Sequence, residues 1–320
     1  MRYPMEMVPC YKDYLWGGNR LACEYGKQNT PEITAESWEL ASRKDGYSVV
    51  GNGAFRGKTL RDLQDLGQRK YFGIDCLSAE FPILVKLIDA KKDLSIQVHP
   101  SDETADTQQG EQGKAEMWYV VDALPKAYLY YGFSRRITPA ELKQRSQDGT
   151  ICQVLNRVSV KRGDVFYILP GTIHAIGAGL LIAEIQQNSN TTFRVYDYQR
   201  MDKDGKLRPL HLQRAAQVTD YTPVVPEECR VNSGVSLPGF SMWEMFSCKY
   251  FKAYRFEVDS VATLTCEGKS FHHLLFVEGE GLIRCQGKTY PFGKGTSYFM
   301  PASLGDYTVE GQCRMLLSRI

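Results

Sequence analysis

The stretch LSIQVHPSDETADTQQGEQGKAEMW, residues 94–118, decides how the rest of this chain is interpreted. Its first seven residues alternate with period two, so on a β-strand Gln97 and His99 share one face with Ser95. Imidazole nitrogens and side-chain oxygens bind metal ions in proteins. The pattern therefore predicts a short strand that presents metal ligands on one face.

The same stretch ends in a second predicted strand, residues 114–121, on which Lys114 and Glu116 share a face. A further histidine, His174, follows a Pro-Gly turn. An isolated histidine is more often a hydrogen-bonded core residue than a ligand. The chain has only 5 histidines, however, and two of them fall in motifs that converge with a carboxylate. We predict one mononuclear metal site, formed by Gln97, His99, Glu116 and His174.

Composition restricts the class of protein. The chain has 320 residues, of which 43% are hydrophobic and 24% charged, as in ordinary globular proteins, and this excludes disordered and fibrous classes. Its 39 basic and 37 acidic residues are spread along the chain and leave a net charge of +2. We therefore expect no nucleic-acid or membrane partner, while an anionic small molecule remains possible.

Cysteine usage and the N-terminal sequence indicate in which cellular compartment the protein is located. Nine cysteines form an odd set without C-x-x-C spacing, unlike the framework of a small secreted domain. Residues 1–21 lack the apolar core of a signal peptide, and no run approaches the roughly 20 apolar residues that span a bilayer. A cytoplasmic location is predicted.

Local patterns predict a mainly β chain with a few helices. Thr59 begins a capping box for a helix that ends near Gly67, and Thr138 precedes proline at the first turn of another helix. Ser101 should cap a short helical stretch. Part of residues 202–238, which are rich in proline and charge, is assigned as a connection. Further strands are predicted at residues 81–90, 165–169, 180–185 and 191–196.

The two halves of the chain are related by a weak internal repeat. Superposing residues 118–123 on 274–279 places His272 opposite Glu116, and Asp306 takes the position of His174. A second metal site at His272 and His273 is not expected, because adjacent strand residues face opposite ways.

This pattern resembles the two motifs of the cupin superfamily, small antiparallel β-barrels that hold a metal ion at their mouth. The resemblance implies two jelly-roll barrels with a small helical insert. Residues 1–225 would form the catalytic barrel, with N-terminal strands and an insert at about 135–158. Residues 226–320 would form a degenerate C-terminal barrel.

Separated motifs also resemble a particular cupin family, the type I mannose-6-phosphate isomerases in their short bacterial form. The motifs are Trp16-Gly17-Gly18, residues 94–100, residues 113–118, Gly171-Thr172-Ile173-His174-Ala175, and Glu184 with residues 188–194. They occur in the family's order.

The resemblance implies one Zn²⁺ per chain, bound by Gln97, His99, Glu116 and His174. It also assigns Arg194 as a catalytic residue, where a structural ion pair is the default for such an arginine. Whether Arg194 stabilises the enediolate or holds the phosphate stays open. Ser95 and Lys114 match substrate-contacting positions.

The implied reaction interconverts mannose 6-phosphate and fructose 6-phosphate by proton transfer through a cis-enediolate. Glu184 is the candidate base, and a buried ion pair with a lysine or arginine is the competing explanation. Alternatives are another cupin sugar-phosphate isomerase, an iron-dependent dioxygenase and a non-catalytic sugar-binding cupin. The sequence leaves the oligomeric state undetermined.

Overall fold

The computed structural model describes residues 2–67, 69–74, 76, 80–202, 204–225 and 234–320. Within these residues the protein is mainly β, as predicted, with 23 strands and four α-helices. None of the helices in the described part of the chain is long and apolar enough to cross a membrane.

The first fifteen strands belong to the N-terminal two thirds of the chain. They are β1 (Met5–Val8), β2 (Cys10–Lys12), β3 (Glu36–Leu40), β4 (Ser42–Arg43), β5 (Gly46–Tyr47), β6 (Val49–Val50), β7 (Ile83–Ala90), β8 (Ile96–Val98), β9 (Glu116–Ala123), β10 (Tyr128–Phe133), β11 (Leu155–Ser159), β12 (Val165–Ile168), β13 (His174–Ile176), β14 (Leu180–Gln187) and β15 (Phe193–Tyr196).

The remaining strands follow residue 233. They are β16 (Gly234–Leu237), β17 (Phe240–Ser247), β18 (Lys252–Val258), β19 (Val261–Cys266), β20 (His272–Cys285), β21 (Lys288–Phe292), β22 (Ser297–Met300) and β23 (Gly305–Arg319). The helices are α1 (Arg20–Tyr25), α2 (Leu60–Asp65), α3 (Pro139–Asp148) and α4 (Leu212–Val218).

The strands form three large antiparallel sheets and one small one. A six-stranded sheet has the order β12-β9-β14-β7-β3-β2, and a five-stranded sheet has the order β11-β10-β13-β8-β15. A ten-stranded sheet runs β16-β17-β18-β23-β20-β22-β1-β6, with β19 and β21 paired to it at β23 and β20. These pairings do not close either half into a barrel among the described residues.

Buried clusters show how the sheets are layered. One cluster, which includes Trp118 and Leu129, lies between the six- and five-stranded sheets. The outer face of the five-stranded sheet packs on α3 and α4, with Leu142 and Ala215 in that cluster. The outer face of the six-stranded sheet packs on the ten-stranded sheet. Both faces of the six-stranded sheet are therefore covered, which explains why the sequences of its strands contain long apolar runs.

The two predicted helix starts are confirmed. The Thr59 side chain and the Asp62 carboxylate form a reciprocal capping box at α2. Thr138 accepts a hydrogen bond from the Glu141 N–H at α3, but the Glu141 carboxylate pairs with Arg135 and Arg145 instead of returning to the cap.

One local prediction is wrong. The stretch after Ser101 forms turns and a single 3₁₀ turn, Thr107–Gln109, where a helix was expected. It is rich in Asp and Thr, which are weak helix formers, and it ends at Gly110 with a positive φ. The segment that includes the predicted connection, residues 202–238, also contains a helix that was not predicted, α4, which buries Ala215 and Val218. Residues 203 and 226–233 of this segment lie outside the described residues.

The N-terminal strand joins the sheet formed by the C-terminal third of the chain. Met5 of β1 pairs with Phe299 of β22. The Phe299 ring is fully buried and lies 5.1 Å from the Phe271 ring and 5.7 Å from the Phe72 ring, measured between centroids. This aromatic cluster links segments that are distant in sequence.

Replacing Phe299 by alanine should therefore lower the free energy of unfolding by about 3–5 kcal/mol, the usual cost of removing a buried phenylalanine. Denaturant unfolding measures this change. Val261→Ala, at an exposed position, is the control and should stay within about 0.5 kcal/mol of the parent protein. A loss at Phe299 no larger than that of the control would contradict this description of the core.

Candidate metal centre

Strand register brings together residues that are far apart in sequence. In the five-stranded sheet, Gln97 of β8 lies opposite His174 of β13 on one side and opposite Arg194 of β15 on the other. Residues that are directly opposed share a face of the sheet. Phe193 and Val195, on either side of Arg194, pack on the helix side of this sheet. Gln97, His174 and Arg194 therefore face the six-stranded sheet.

Glu116, the first residue of β9, approaches His174 from the six-stranded sheet. Its Oε1 lies 3.3 Å from His174 Nε2, and its Oε2 lies 3.4 Å from His99 Nε2. All three residues are at most 1% exposed, and their ligand atoms lie within 4.8 Å of one another. This His99–Glu116–His174 cluster can hold a metal ion.

Hydrogen bonds fix which nitrogen each imidazole presents to the cluster. His99 Nδ1 lies 2.9 Å from the Thr191 carbonyl, and His174 Nδ1 lies 2.8 Å from the Thr172 carbonyl. A carbonyl oxygen can only accept, so both Nδ1 atoms carry the proton and donate it. Each Nε2 lone pair is thus directed towards Glu116, the arrangement typical of metal-binding histidines.

The protonation states also suit metal binding. Burial by itself raises the pKa of Glu116, but the charge of Lys114, together with the interactions of the adjoining histidines, outweighs it and holds this pKa well below its usual range. Burial, reinforced by Lys114, lowers the pKa of His99 to about 4, and burial likewise lowers the pKa of His174. At neutral pH the cluster therefore consists of a carboxylate and two neutral imidazoles, as metal ligation requires.

The Glu116 carboxylate has little other compensation. Neither oxygen accepts a well-directed hydrogen bond from a described residue, although three nitrogens lie 3.0 to 3.4 Å away. A buried carboxylate without such bonds is costly unless a cation is near. The donor set thus fits a bound cation.

Gln97, Lys114 and Ser95 lie at the edge of the cluster. Gln97 Nε2 is 3.4 Å from His174 Nε2, and rotating the amide by half a turn would present its oxygen instead. Lys114 Nζ lies 3.0 Å from Glu116 Oε2 and 3.2 Å from His99 Nε2. Ser95 Oγ is 3.5 Å from Gln97 Oε1. The structure brings all three side chains to the place that strand alternation predicted.

Arg194 lies on the same face, next to Gln97. Its Nη1 donates to the Pro209 carbonyl at 2.8 Å, while its buried Nε has no hydrogen-bond partner among the described residues. Burial, reinforced by Arg208 and Arg200, lowers the pKa of Arg194. The structure shows no carboxylate paired directly with this guanidinium among the described residues, so it can receive an anion.

Glu184 lies deeper between the same two sheets. Trp118 Nε1 donates to its Oε2 at 2.9 Å, and Lys86 Nζ lies 3.1 Å from its Oε1. The ion pair considered from the sequence is thus present, and its partner is Lys86. Sequence reasoning did not single out Lys86, although a lysine in the middle of the apolar run at residues 81–90 was a detectable signal.

The equivalent positions in the C-terminal third are not brought together as ligands. His272 Nδ1 lies 2.9 Å from the Tyr307 hydroxyl, and the Asp306 carboxylate accepts from the Thr265 hydroxyl at 2.7 Å. His273 faces the opposite side and contacts Ser297. Among the described residues, the only cluster with metal-ligand spacing contains His99, Glu116 and His174.

The fold and this centre define a cupin with a candidate metal site. Residues 5–128 match the phosphomannose isomerase type I catalytic domain, and residues 242–320 match the mannose-6-phosphate isomerase cupin domain. The chain is 38% identical to mannose-6-phosphate isomerase ManA of Bacillus subtilis (strain 168), over 99% of both chains. It therefore belongs to the type I phosphomannose isomerase family, and it is an isomerase.

Other relatives agree with this assignment. A mannose-6-phosphate isomerase of Streptococcus mutans is 34% identical over 99% of this chain and 98% of its own. The crystal structure of the mannose 6-phosphate isomerase from Bacillus subtilis superposes with a TM-score of 0.92, at 35% identity and 99% coverage of each chain. A phosphomannose isomerase structure from Salmonella typhimurium, at 16% identity and a TM-score of 0.78, shares the fold.

Replacing His174 by alanine should weaken metal binding. Loss of hydrogen-bond partners around metal ligands typically costs 10–100-fold in affinity, so loss of a ligand should cost more than about 100-fold. Zn²⁺ titration calorimetry on chelator-stripped protein measures this affinity. His272→Gln serves as control and should leave it unchanged. Equal Zn²⁺ affinity in the His174 variant and the parent protein would show that the cluster is not the metal site.

Proposed function

We propose that this chain interconverts mannose 6-phosphate and fructose 6-phosphate, moving a proton between C1 and C2 through a cis-enediolate. The observation that carries the proposal is the buried His99–Glu116–His174 cluster with Lys114 at its edge. The relatives named mannose-6-phosphate isomerases, matched along nearly the whole chain, support this choice of substrate.

We propose one Zn²⁺ per chain, held by Gln97, His99, Glu116 and His174. Two neutral imidazoles and a carboxylate suit this ion, and catalytic zinc sites keep a position open for substrate. When bound, the ion supplies Lewis-acid polarisation of the substrate oxygens and offsets the negative charge of the enediolate.

Cationic side chains around the cluster are suited to an anionic substrate. Arg194 has a buried Nε without a hydrogen-bond partner among the described residues, and Lys114 carries an ammonium beside Glu116. In our proposal Lys114, Arg194 and Ser95 share recognition of the phosphate and stabilisation of the enediolate charge. Preorganised donors of this kind act strongly where water is excluded.

Glu184 is the proposed base. It is 4% exposed and lies on the face of β14 that is directed towards the metal centre, two residues from Gln186, which pairs with Glu116. In this role its carboxylate removes the proton from one substrate carbon and returns it to the neighbouring carbon.

The proposal includes the organisation of the chain. Residues 1–225 would form a catalytic cupin barrel with its insert at about 135–158, and residues 226–320 a degenerate barrel. The partner would be a small sugar phosphate in the cytoplasm, without nucleic acid or membrane.

A coupled assay tests the activity. The purified protein should convert mannose 6-phosphate to fructose 6-phosphate, lose turnover after chelation and regain it when Zn²⁺ is restored. Glucose 6-phosphate and unphosphorylated mannose serve as controls for substrate choice. Absence of turnover with the metal restored, or turnover that survives complete removal of metal, would reject this mechanism.

Arg194→Ala should retain its metal and lose turnover, since it removes a charge that acts on the substrate rather than a ligand. Loss of one preorganised donor typically reduces kcat by roughly 100- to 1000-fold. Steady-state kinetics together with elemental analysis of bound metal measure both properties. Arg284→Ala, an arginine with an exposed side chain in the ten-stranded sheet, is the matched control. Full activity of the Arg194 variant would remove this residue from the mechanism.

A further inference from the structure

Four side chains form one row across the six-stranded sheet, beside the metal centre. Lys86 of β7 lies opposite Trp38 on one side and Glu184 on the other, and Glu184 lies opposite Trp118. Opposed residues share a face. This row (Trp38, Lys86, Glu184 and Trp118) is two residues from Glu116 along β9, about 7 Å at the usual rise of a strand.

Lys86 lies between two buried carboxylates. Its side chain is 4% exposed, and its Nζ is 3.1 Å from Glu184 Oε1 and 3.7 Å from Glu36 Oε2. Burial by itself lowers the pKa of Lys86, but Glu184 and Glu36 outweigh it and raise this pKa above its ordinary value. Lys86 is therefore an ammonium ion at neutral pH, in a place where an unpaired charge would not be tolerated.

Glu36 and Trp38 contact the Lys86 ammonium on the side away from Glu184. Trp38 Nε1 donates to Glu36 Oε2 at 2.6 Å, which fixes the carboxylate on the far side of Lys86. Lys86 Nζ also lies 5.4 Å from the centroid of the Trp38 ring. These contacts leave Lys86 little freedom to move away from Glu184.

Glu184 is constrained at both oxygens, but differently. Its Oε2 accepts the Trp118 N–H, and the Trp118 ring packs edge-on against His174, with centroids 5.3 Å apart. Its Oε1 lies near Lys86 but accepts no well-directed hydrogen bond from a described residue. One oxygen is thus used for orientation, while the other keeps a lone pair for a proton.

We propose that Lys86 is a positioning residue of the isomerisation: its ammonium, anchored by Glu36, holds the Glu184 carboxylate with Oε1 directed at the substrate. The inference rests on the proposed function, because Glu184 has a proton to move only if the chain catalyses that reaction. The proton taken from one carbon returns to the next, so no oxidant or reductant is required.

Other charged or titratable groups also face this pair. Glu36 on β3, Glu116 on β9 and the Tyr14 hydroxyl all interact electrostatically with Lys86, besides Glu184 on β14. Among the described residues, Lys86 is the only cation within 4 Å of the Glu184 carboxylate. Removing this ammonium therefore removes the charge that holds Glu184 in place.

Lys86→Met is the first test, since methionine preserves much of the length and removes the charge. We expect full metal content, KM within about threefold of the parent protein, and kcat lowered by roughly tenfold or more, up to the contribution of a general base. Adding Lys86→Met to a Glu184→Gln background should cause little further loss, because the two residues act as one unit.

A matched control separates positioning from simple destabilisation. Lys27 is also a buried lysine, paired with Glu39 at 2.7 Å on the opposite face of the same sheet. Lys27→Met should lower stability but leave kcat of the folded enzyme unchanged. Lys86→Arg keeps the charge and is the variant to measure if Lys86→Met does not fold; it should retain more of the parental kcat than Lys86→Met. A parental kcat in Lys86→Met, or the same loss of kcat in the Lys27 variant, would overturn the proposal.

A readout without turnover distinguishes failure of this inference from failure of the proposed function. The chain has 4 tryptophans, so nitrogen-15 labelling gives four indole N–H signals, and Trp118→Phe identifies the one bonded to Glu184. Lys86→Met should shift this signal, as Glu184→Gln does, while Lys27→Met should not. An unshifted Trp118 signal in Lys86→Met would show that Lys86 does not orient Glu184, whether or not the protein isomerises mannose 6-phosphate.

Discussion

The buried carboxylate of Glu116 is the constraint on which the rest of the candidate metal centre depends. It is fully buried between two sheets, and desolvating a carboxylate costs several kcal/mol unless positive charge or donors replace the water. Lys114 Nζ supplies positive charge at 3.0 Å, whereas His99 Nε2 and His174 Nε2, at 3.4 and 3.3 Å, present lone pairs that cannot donate to the carboxylate. His174 belongs to β13, His99 directly follows β8 and Glu116 begins β9, so a register shift of one residue in any of these strands would turn a partner to the opposite face.

The six-stranded sheet separates two kinds of interaction by its two faces. Its inner face carries Glu116 and the row that contains Lys86 and Glu184, whereas its outer face is mainly apolar and packs on the ten-stranded sheet. A second buried pair, Lys27 with Glu39, lies on that outer side. The polar groups near the candidate metal centre thus lie on the inner face, beside the apolar cluster that contains Trp118, while the contacts of the outer face with the ten-stranded sheet are mainly apolar.

Strand alternation was sufficient to predict which neighbours share a face, and the structure agrees for Gln97 with His99 and for Lys114 with Glu116. It could not predict which strands lie side by side. The contact between Gln97 and His174 spans 77 residues and depends on register alone. For the same reason Lys86 was not predicted as the partner of Glu184, since nothing in the sequence near Lys86 indicates that β7 pairs with β14. The family resemblance supplied the ligand set that local pattern left incomplete.

Helix α4 and the stretch after Ser101 show that local sequence alone did not predict the short helices correctly. In α4 the apolar residues Leu212, Ala215 and Val218 recur every three residues, but the surrounding Pro-rich and charged sequence favoured a connection. The helix is stabilised by packing on the outer face of the five-stranded sheet, which a local reading does not include. After Ser101 a helix was predicted but did not form, because the capping residue is not followed by an apolar face that could pack on the sheet.

The C-terminal third has no ligand cluster among its described residues, yet it contacts the segment that carries the ligands. Tyr250 donates to Asp102 Oδ2 at 2.5 Å, and Asp102 Oδ1 accepts from Gln187 at 3.2 Å. Gln187 Oε1 in turn accepts the backbone N–H of Ala115 at 2.8 Å, between Lys114 and Glu116. This chain of hydrogen bonds connects the ten-stranded sheet to the metal centre. The loss of ligands from the second half of the repeat is therefore compatible with a structural contribution of that half to the site.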